Sequence, residues 1–93
     1  MKSVLQKNRE CWECGRVDVL NDHHIIYGTA NRRISEEYGF KVWLCPEHHT
    51  GKHGVHNNNK LLDLRLKTMA QTYFESNLGS RKDFIRLFGR NFL

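Results

Sequence analysis

Apolar residues fall along this chain in two rhythms, and the change between them divides it. Over the first half they come in short runs that are β-branched or aromatic: Ile25-Ile26-Tyr27, and then Phe40-Lys41-Val42-Trp43-Leu44, where apolar and polar positions alternate at first. Such runs predict two strands. Between them, Gly28-Thr29-Ala30-Asn31 reads as a loop. Ser35-Glu36-Glu37-Tyr38 reads as a short helical turn, capped by Ser35 and closed by Gly39, its glutamates suiting the dipole of a first turn. The expected product is a β-hairpin with a long connection.

Past a Gly-, His- and Asn-rich irregular stretch, the spacing changes to three and four. Leu62, Leu66, Met69, Tyr73 and Phe74 recur on one side of a long helix, with Lys60, Arg65, Lys67 and Glu75 on the other. Any of Asn57, Asn58 and Asn59 can cap its start, and Gly79 ends it. Ser80 and Asp83 have the spacing of a capping box with Asp in place of Glu. A final helix over 80–88 then turns Phe84, Leu87 and Phe88 inward and stops at Gly89. Ahead of Cys11 the chain is polar and basic, with only Val4 and Leu5 apolar, which fits either a frayed end or a short pairing strand. There are no repeats, linkers or low-complexity stretches. The 93 residues read as one α+β domain in which the two C-terminal helices clamp the hairpin and supply most of the core.

A chain this short buries a limited core and often needs a staple. Three cysteines leave one unpaired, so a pure disulfide framework fits poorly. Three cysteines with six histidines fit metal binding in a reducing compartment. Cys11 and Cys14 form one knuckle, followed by Gly15 at the tight turn; Cys45 and His48 form a second knuckle at the same spacing, thirty residues further on. Four such ligands suit a closed, tetrahedral, structural zinc site that ties the N-terminal region to the second strand. The rival readings are a thioredoxin-like redox pair at Cys11 and Cys14, and free buried cysteines beside an exposed histidine. The redox reading needs a helix after the motif, and Gly15-Arg16-Val17-Asp18 does not open one.

No apolar run is long enough to span a membrane, and no signal-peptide pattern starts at Met1, so a soluble, cytoplasmic protein is expected. A net charge of +5 favours a polyanionic partner. The knuckles leave over Asp22-His23-His24, His49, His53 and His56. On a strand, His23 and His24 point to opposite faces. A division of labour follows: one imidazole binds a metal, and the other, titrating near neutrality, takes a proton from water.

These motifs resemble a known family. Asp-His-His-Ile, followed by Leu-Cys-x-x-His-His and preceded by Cys-x-x-Cys, is similar to the HNH (His-Me finger, ββα-metal) endonucleases. The wider run, through Ala-Asn-Arg-Arg-Ile-Ser-Glu, Tyr-Gly-Phe, Val-Trp-Leu-Cys-Pro, Gly-Val-His-Asn and the final Phe-Ile-Arg-Leu-Phe-Gly-Arg-Asn, resembles the small members encoded by phages and prophages. The resemblance covers roughly 11–93. It implies a ββα-metal core over about 20–75, stapled by zinc knuckles at 11–14 and 45–48. It places His24 at the general base, and His23, His49 and His56 on a catalytic divalent ion. Cys11, Cys14, Cys45 and His48 fall on the structural zinc, His48 standing where the family usually has Cys. The family's middle Asn, which braces the loop carrying the base, is replaced by Phe40; either Asn31 substitutes for it or nothing does.

The implied activity is hydrolysis of DNA phosphodiesters in the host cell of a phage or prophage, leaving 5′-phosphate and 3′-hydroxyl ends. Mg, Mn, Ni and Zn are all open for the catalytic ion, and so is monomer or homodimer. Arg32, Arg33 and Lys52 are candidates for flanking phosphates or for a solvated basic loop. Trp12 and Trp43 are expected to pack against the zinc knot rather than stack on bases. The alternative function is a non-catalytic zinc-ribbon module that binds nucleic acid.

Overall fold

The computed structural model describes residues 2–93. Its elements follow the order β1 (Asn21–His24), α1 (Thr29–Tyr38), β2 (Lys41–Leu44), α2 (Pro46–His49), α3 (Lys60–Asn77) and α4 (Arg81–Phe88). It is an α+β fold with one antiparallel two-stranded sheet and four helices.

The strands pair Asn21 with Leu44, Asp22 with Trp43, His23 with Val42 and His24 with Lys41. The first strand is therefore the polar Asn-Asp-His-His segment and not the expected Ile25-Ile26-Tyr27. Ile25 still donates its N–H to the carbonyl of Phe40 at 2.9 Å. At Ile26, however, the backbone leaves the sheet for a side chain: the hydroxyl of Ser35 accepts from the Ile26 N–H at 3.2 Å and donates to the Ile26 carbonyl at 2.7 Å. Ser35 is buried inside α1 and is not the cap expected of it. The expected loop at Gly28–Asn31 is also corrected. Gly28 is the N-cap, and α1 runs ten residues from Thr29. A glycine cap has no side-chain oxygen, so the sequence carries no capping signal there. Glu36 and Glu37 consequently sit in the last turn of α1, where carboxylates oppose the helix dipole.

The N-terminal segment forms no strand, yet it is docked. Val4 donates its N–H to the Gly39 carbonyl, the Ser3 hydroxyl donates to the Lys41 carbonyl at 2.6 Å, and Gln6 Oε1 accepts from the Trp43 N–H at 2.8 Å. These bonds cover the outer edge of β2, which would otherwise present unpaired backbone groups. Gly39 is required here: its φ is +72°, and a Cβ would lie 2.5 Å from the Lys2 carbonyl oxygen.

The helices match their pattern more closely. Asn59 Oδ1 caps α3 by accepting from the Leu62 N–H, and Leu62, Leu66, Ala70 and Phe74 form its buried face. Ser80 and Asp83 make a reciprocal capping box at the start of α4. Phe84 and Phe88 of α4 join Phe40 and Phe74 in the core. Fully burying a side chain of this size contributes about 1.5–3 kcal/mol. Gln71 is fully buried but satisfied. It donates to Asn91 and Glu75, and accepts the N–H of Phe92, which seats the C-terminal tail. Among the described residues no helix is long and apolar enough to cross a membrane.

Candidate metal centres

Cys11, Cys14, Cys45 and His48 meet at one point. Cys45 caps α2, Pro46 occupies its first turn, and one turn of helix brings His48 back beside the Cys45 thiol. The opposite knuckle is closed by the Gly15 N–H on the Cys11 carbonyl. Cys14 Sγ lies 3.8 Å from Cys45 Sγ, and His48 Nδ1 lies 3.8 Å from Cys11 Sγ and 3.3 Å from Cys45 Sγ. A tetrahedral zinc ion, with bonds of about 2.3 Å to sulfur and 2.0–2.1 Å to nitrogen, requires edges of about 3.8 Å and 3.6 Å. The observed separations are those of a ligand shell and are far too long for disulfides. Burial alone would raise the Cys11 thiol, but backbone hydrogen bonds at Cys45, Cys14 and Glu13 outweigh it and bring Cys11 down to about 7. Together the four residues form a Cys3His group that could hold a metal such as zinc.

A second cluster lies on the other side of α2. His23, His49 and His56 each offer a nitrogen within 4.8 Å of the other two. Their ring centroids are separated by 5.3 Å for His23 and His49, 5.1 Å for His23 and His56, and 4.8 Å for His49 and His56. Three elements bring them together. β1 turns His23 inward, α2 supplies His49, and the loop after α2 folds back so that the His56 N–H donates to the His49 carbonyl at 3.0 Å. Gly54 permits that fold-back, since a Cβ there would stand 2.5 Å from the His49 carbonyl oxygen.

His23 is 2 % exposed, and its Nε2 is buried with no hydrogen-bond partner among the described residues. An orphaned buried acceptor costs about 1–3 kcal/mol, which a metal bond at that nitrogen would relieve. Burial first, then the charges of His49 and His56, push the His23 imidazole down to about 3. Burial and His56 lower His49 as well. Neutral imidazoles with available lone pairs are the form that binds metal, so the trio fits a divalent ion.

His24 leaves the sheet on the face opposite His23, yet as the last residue of β1 it lines the same cleft. That cleft, about 370 Å³, is also lined by Asp22, Tyr27, Arg32, His49 and His56. The Nε2 of His24 is 2.8 Å from Glu36 Oε1. Asp22, His24 and Glu36 form a third group with ligand-like spacing. A cation of the chain already serves it: Lys41 Nζ donates to Glu36 at 3.1 and 3.3 Å and to Asp22 at 3.2 Å. Burial opposes the charge on Lys41, but these bonds outweigh it and raise its pKa.

The remaining expectations divide. Arg32 lines the cleft, whereas Arg33 and Lys52 are exposed and do not. His53 is exposed and bonded to Glu47 at 2.6 Å, away from the trio. Asn31 donates to the Phe88 carbonyl, so it ties α1 to the end of α4 and braces nothing near His24. Phe40 is buried in the aromatic core. Trp12 packs against the core with Arg65 over its ring, and Arg9 lies over Trp43.

Tyr27, Glu36 and Lys41 are the site residues that sequence reasoning missed. Tyr27 has its ring 4.9 Å from His56 and 6.0 Å from His23, with Lys67 Nζ 4.3 Å above it. As part of an apolar run it carried no signal of its own. Glu36 carried one, a carboxylate at the wrong end of a helix, readable only once α1 is known to start at Thr29. No protein-family model matches the chain, nor does any curated protein or solved structure.

Proposed function

We propose that this protein is a metal-dependent DNA endonuclease of the HNH type, with a ββα-metal core stapled by zinc. The observation that carries the reading is the second cluster. A zinc ribbon needs only Cys11, Cys14, Cys45 and His48, yet three more imidazoles converge beyond them and a fourth lines the same cleft. The trio bears no charge of its own when neutral, so an ion held there keeps its full charge for the substrate.

A divalent ion on His23, His49 and His56 would neutralise the scissile phosphate and the charge growing on the leaving oxygen. His24 takes one proton from a water whose oxygen attacks phosphorus. The P–O3′ bond breaks, the 3′-oxygen leaves and takes up a proton, and 5′-phosphate and 3′-hydroxyl ends result. Arg32, on the cleft wall, is placed to hold a neighbouring phosphate. Tyr27 packs on His56 and limits the trio's movement.

The test is cleavage of duplex, single-stranded and branched DNA by purified protein supplied in turn with Mg, Mn, Ni and Zn. The expected result is metal-dependent cutting that His24→Ala lowers by roughly a hundredfold or more, with metal content unchanged. Salt-sensitive binding without cutting under any metal would replace the nuclease with a zinc-ribbon binding module. Equal cutting by His24→Ala would remove His24 from the base position.

A further inference from the structure

His24 does not stand alone on its face of the sheet. Its Nε2 is 2.8 Å from Glu36 Oε1. An ionised carboxylate only accepts, so the shared hydrogen belongs to Nε2, and Nδ1 keeps the lone pair. Glu36 is itself held in place. Lys41, the cross-strand partner of His24, donates to both of its oxygens and, with the same ammonium, to Asp22. One clasp therefore joins α1, β1 and β2 around a single imidazole.

Two further observations point the same way. Glu36 lies in the last turn of α1, against the helix dipole and with no basic residue in that turn. Helix stability does not explain a carboxylate there; its bonds to His24 and Lys41 do. Among the described residues Glu36 is the side chain hydrogen-bonded to His24; the Asp22 carboxylate, within 4.8 Å, is bonded to Lys41 instead. Phe40 is buried and apolar, its carbonyl is taken by the Ile25 N–H, and Asn31 is committed to Phe88.

We infer that Glu36 is the positioning residue of the general base: it holds His24 as the Nε2–H tautomer, with Nδ1 as the proton acceptor. This rests on the nuclease reading above. Glu36 does not line the cleft that holds the three-histidine cluster, so its route to the reaction is through His24. A side chain that is 14 % exposed, as that of His24 is, has room to rotate once the bond is gone.

The experiment combines kinetics with nitrogen NMR of histidine-labelled protein. Measured where the protein stays folded, Glu36→Ala should lower kcat at least about tenfold, leaving KM and metal content as in wild type. Glu36→Gln, whose amide oxygen still accepts from Nε2–H, should recover much of that loss. In the spectrum, wild-type His24 should show the Nε2–H tautomer, and Glu36→Ala a mixture. A wild-type His24 protonated at Nδ1 overturns the proposal. So does a Glu36→Ala protein that cuts like wild type while His24→Ala does not cut. A wild-type protein that cuts no DNA removes the nuclease reading, and the positioning role falls with it.

Discussion

His23 combines two features that rarely occur together in a stable fold: a buried imidazole and an unpartnered ring nitrogen. The combination has a measurable consequence in acid. The ordinary pKa of 6.5 falls to about 3 in the folded chain, chiefly through burial. Between those values the unfolded chain binds a proton that the folded chain refuses, so folding stability must fall as pH drops through that window. The contribution is complete above 6.5 and lost progressively toward 3. Urea unfolding midpoints should decline over this range, and His23→Leu, with no proton to gain, should flatten part of the slope. Identical slopes in the two proteins would mean that His23 is not held neutral by the fold. A metal on the trio acts in the same direction, since protons compete for the same nitrogens.

Among the helices, α2 is the shortest and does the most positioning. Its single turn sends His48 to the thiols and His49 to the opposite cluster, because adjacent helical residues face directions about 100° apart. The loop that follows must fold back tightly for His56 to join His49, and Gly54 sits at the closest approach. Gly54→Ala should displace the His49 carbonyl, destabilise the protein by about 1–3 kcal/mol and weaken metal binding at the trio. Ser80→Ala is the contrasting change. It removes the α4 cap at a cost of about 1 kcal/mol, far from either cluster, and should leave metal binding intact. Titration calorimetry and urea unfolding on both variants separate the two effects. Equal metal affinity in Gly54→Ala and wild type would show that the fold-back does not depend on a bare backbone at this position.

Taken whole, the molecule is clamped from both sides of a very small sheet. The aromatic cluster of Phe40, Phe74, Phe84 and Phe88 holds α3 and α4 to β2, while the Cys11–Cys14 knuckle is joined to β2 by the Trp12 N–H on the Trp43 carbonyl and meets Cys45 and His48 in the four-residue group. If the group holds zinc, chelation leaves the Cys14 and Cys45 sulfurs 3.8 Å apart with no cation between them. A strong chelator should therefore lower the melting temperature sharply, and added zinc should restore it. Cys45→Ala should show the low melting temperature without chelator. Circular dichroism through a thermal scan checks both. An unchanged midpoint in chelator would show that no metal at these four residues holds the fold.

The primary structure alone was sufficient for whatever depends on near neighbours. Knuckle spacing picked out the four thiol and imidazole side chains that meet in the fold, and the two-residue period of a strand assigned His23 and His24 to opposite faces. Capping chemistry located Ser80 and Gly89, and narrowed the α3 cap to three asparagines of which Asn59 serves. These follow from backbone sterics and local hydrogen bonding, which act over a few residues. Other features were decided by which surfaces the packed chain presses together. The Ser35 hydroxyl ended β1 before Ile26, which no strand propensity could foresee, and α1 began at a cap without a side chain. Glu36 found His24 across twelve positions only because α1 packs beside the hairpin, and His56 found His23 only because the loop after α2 folds back. Such meetings are settled by the total burial of the core, a sum over the whole molecule that no short window of residues contains.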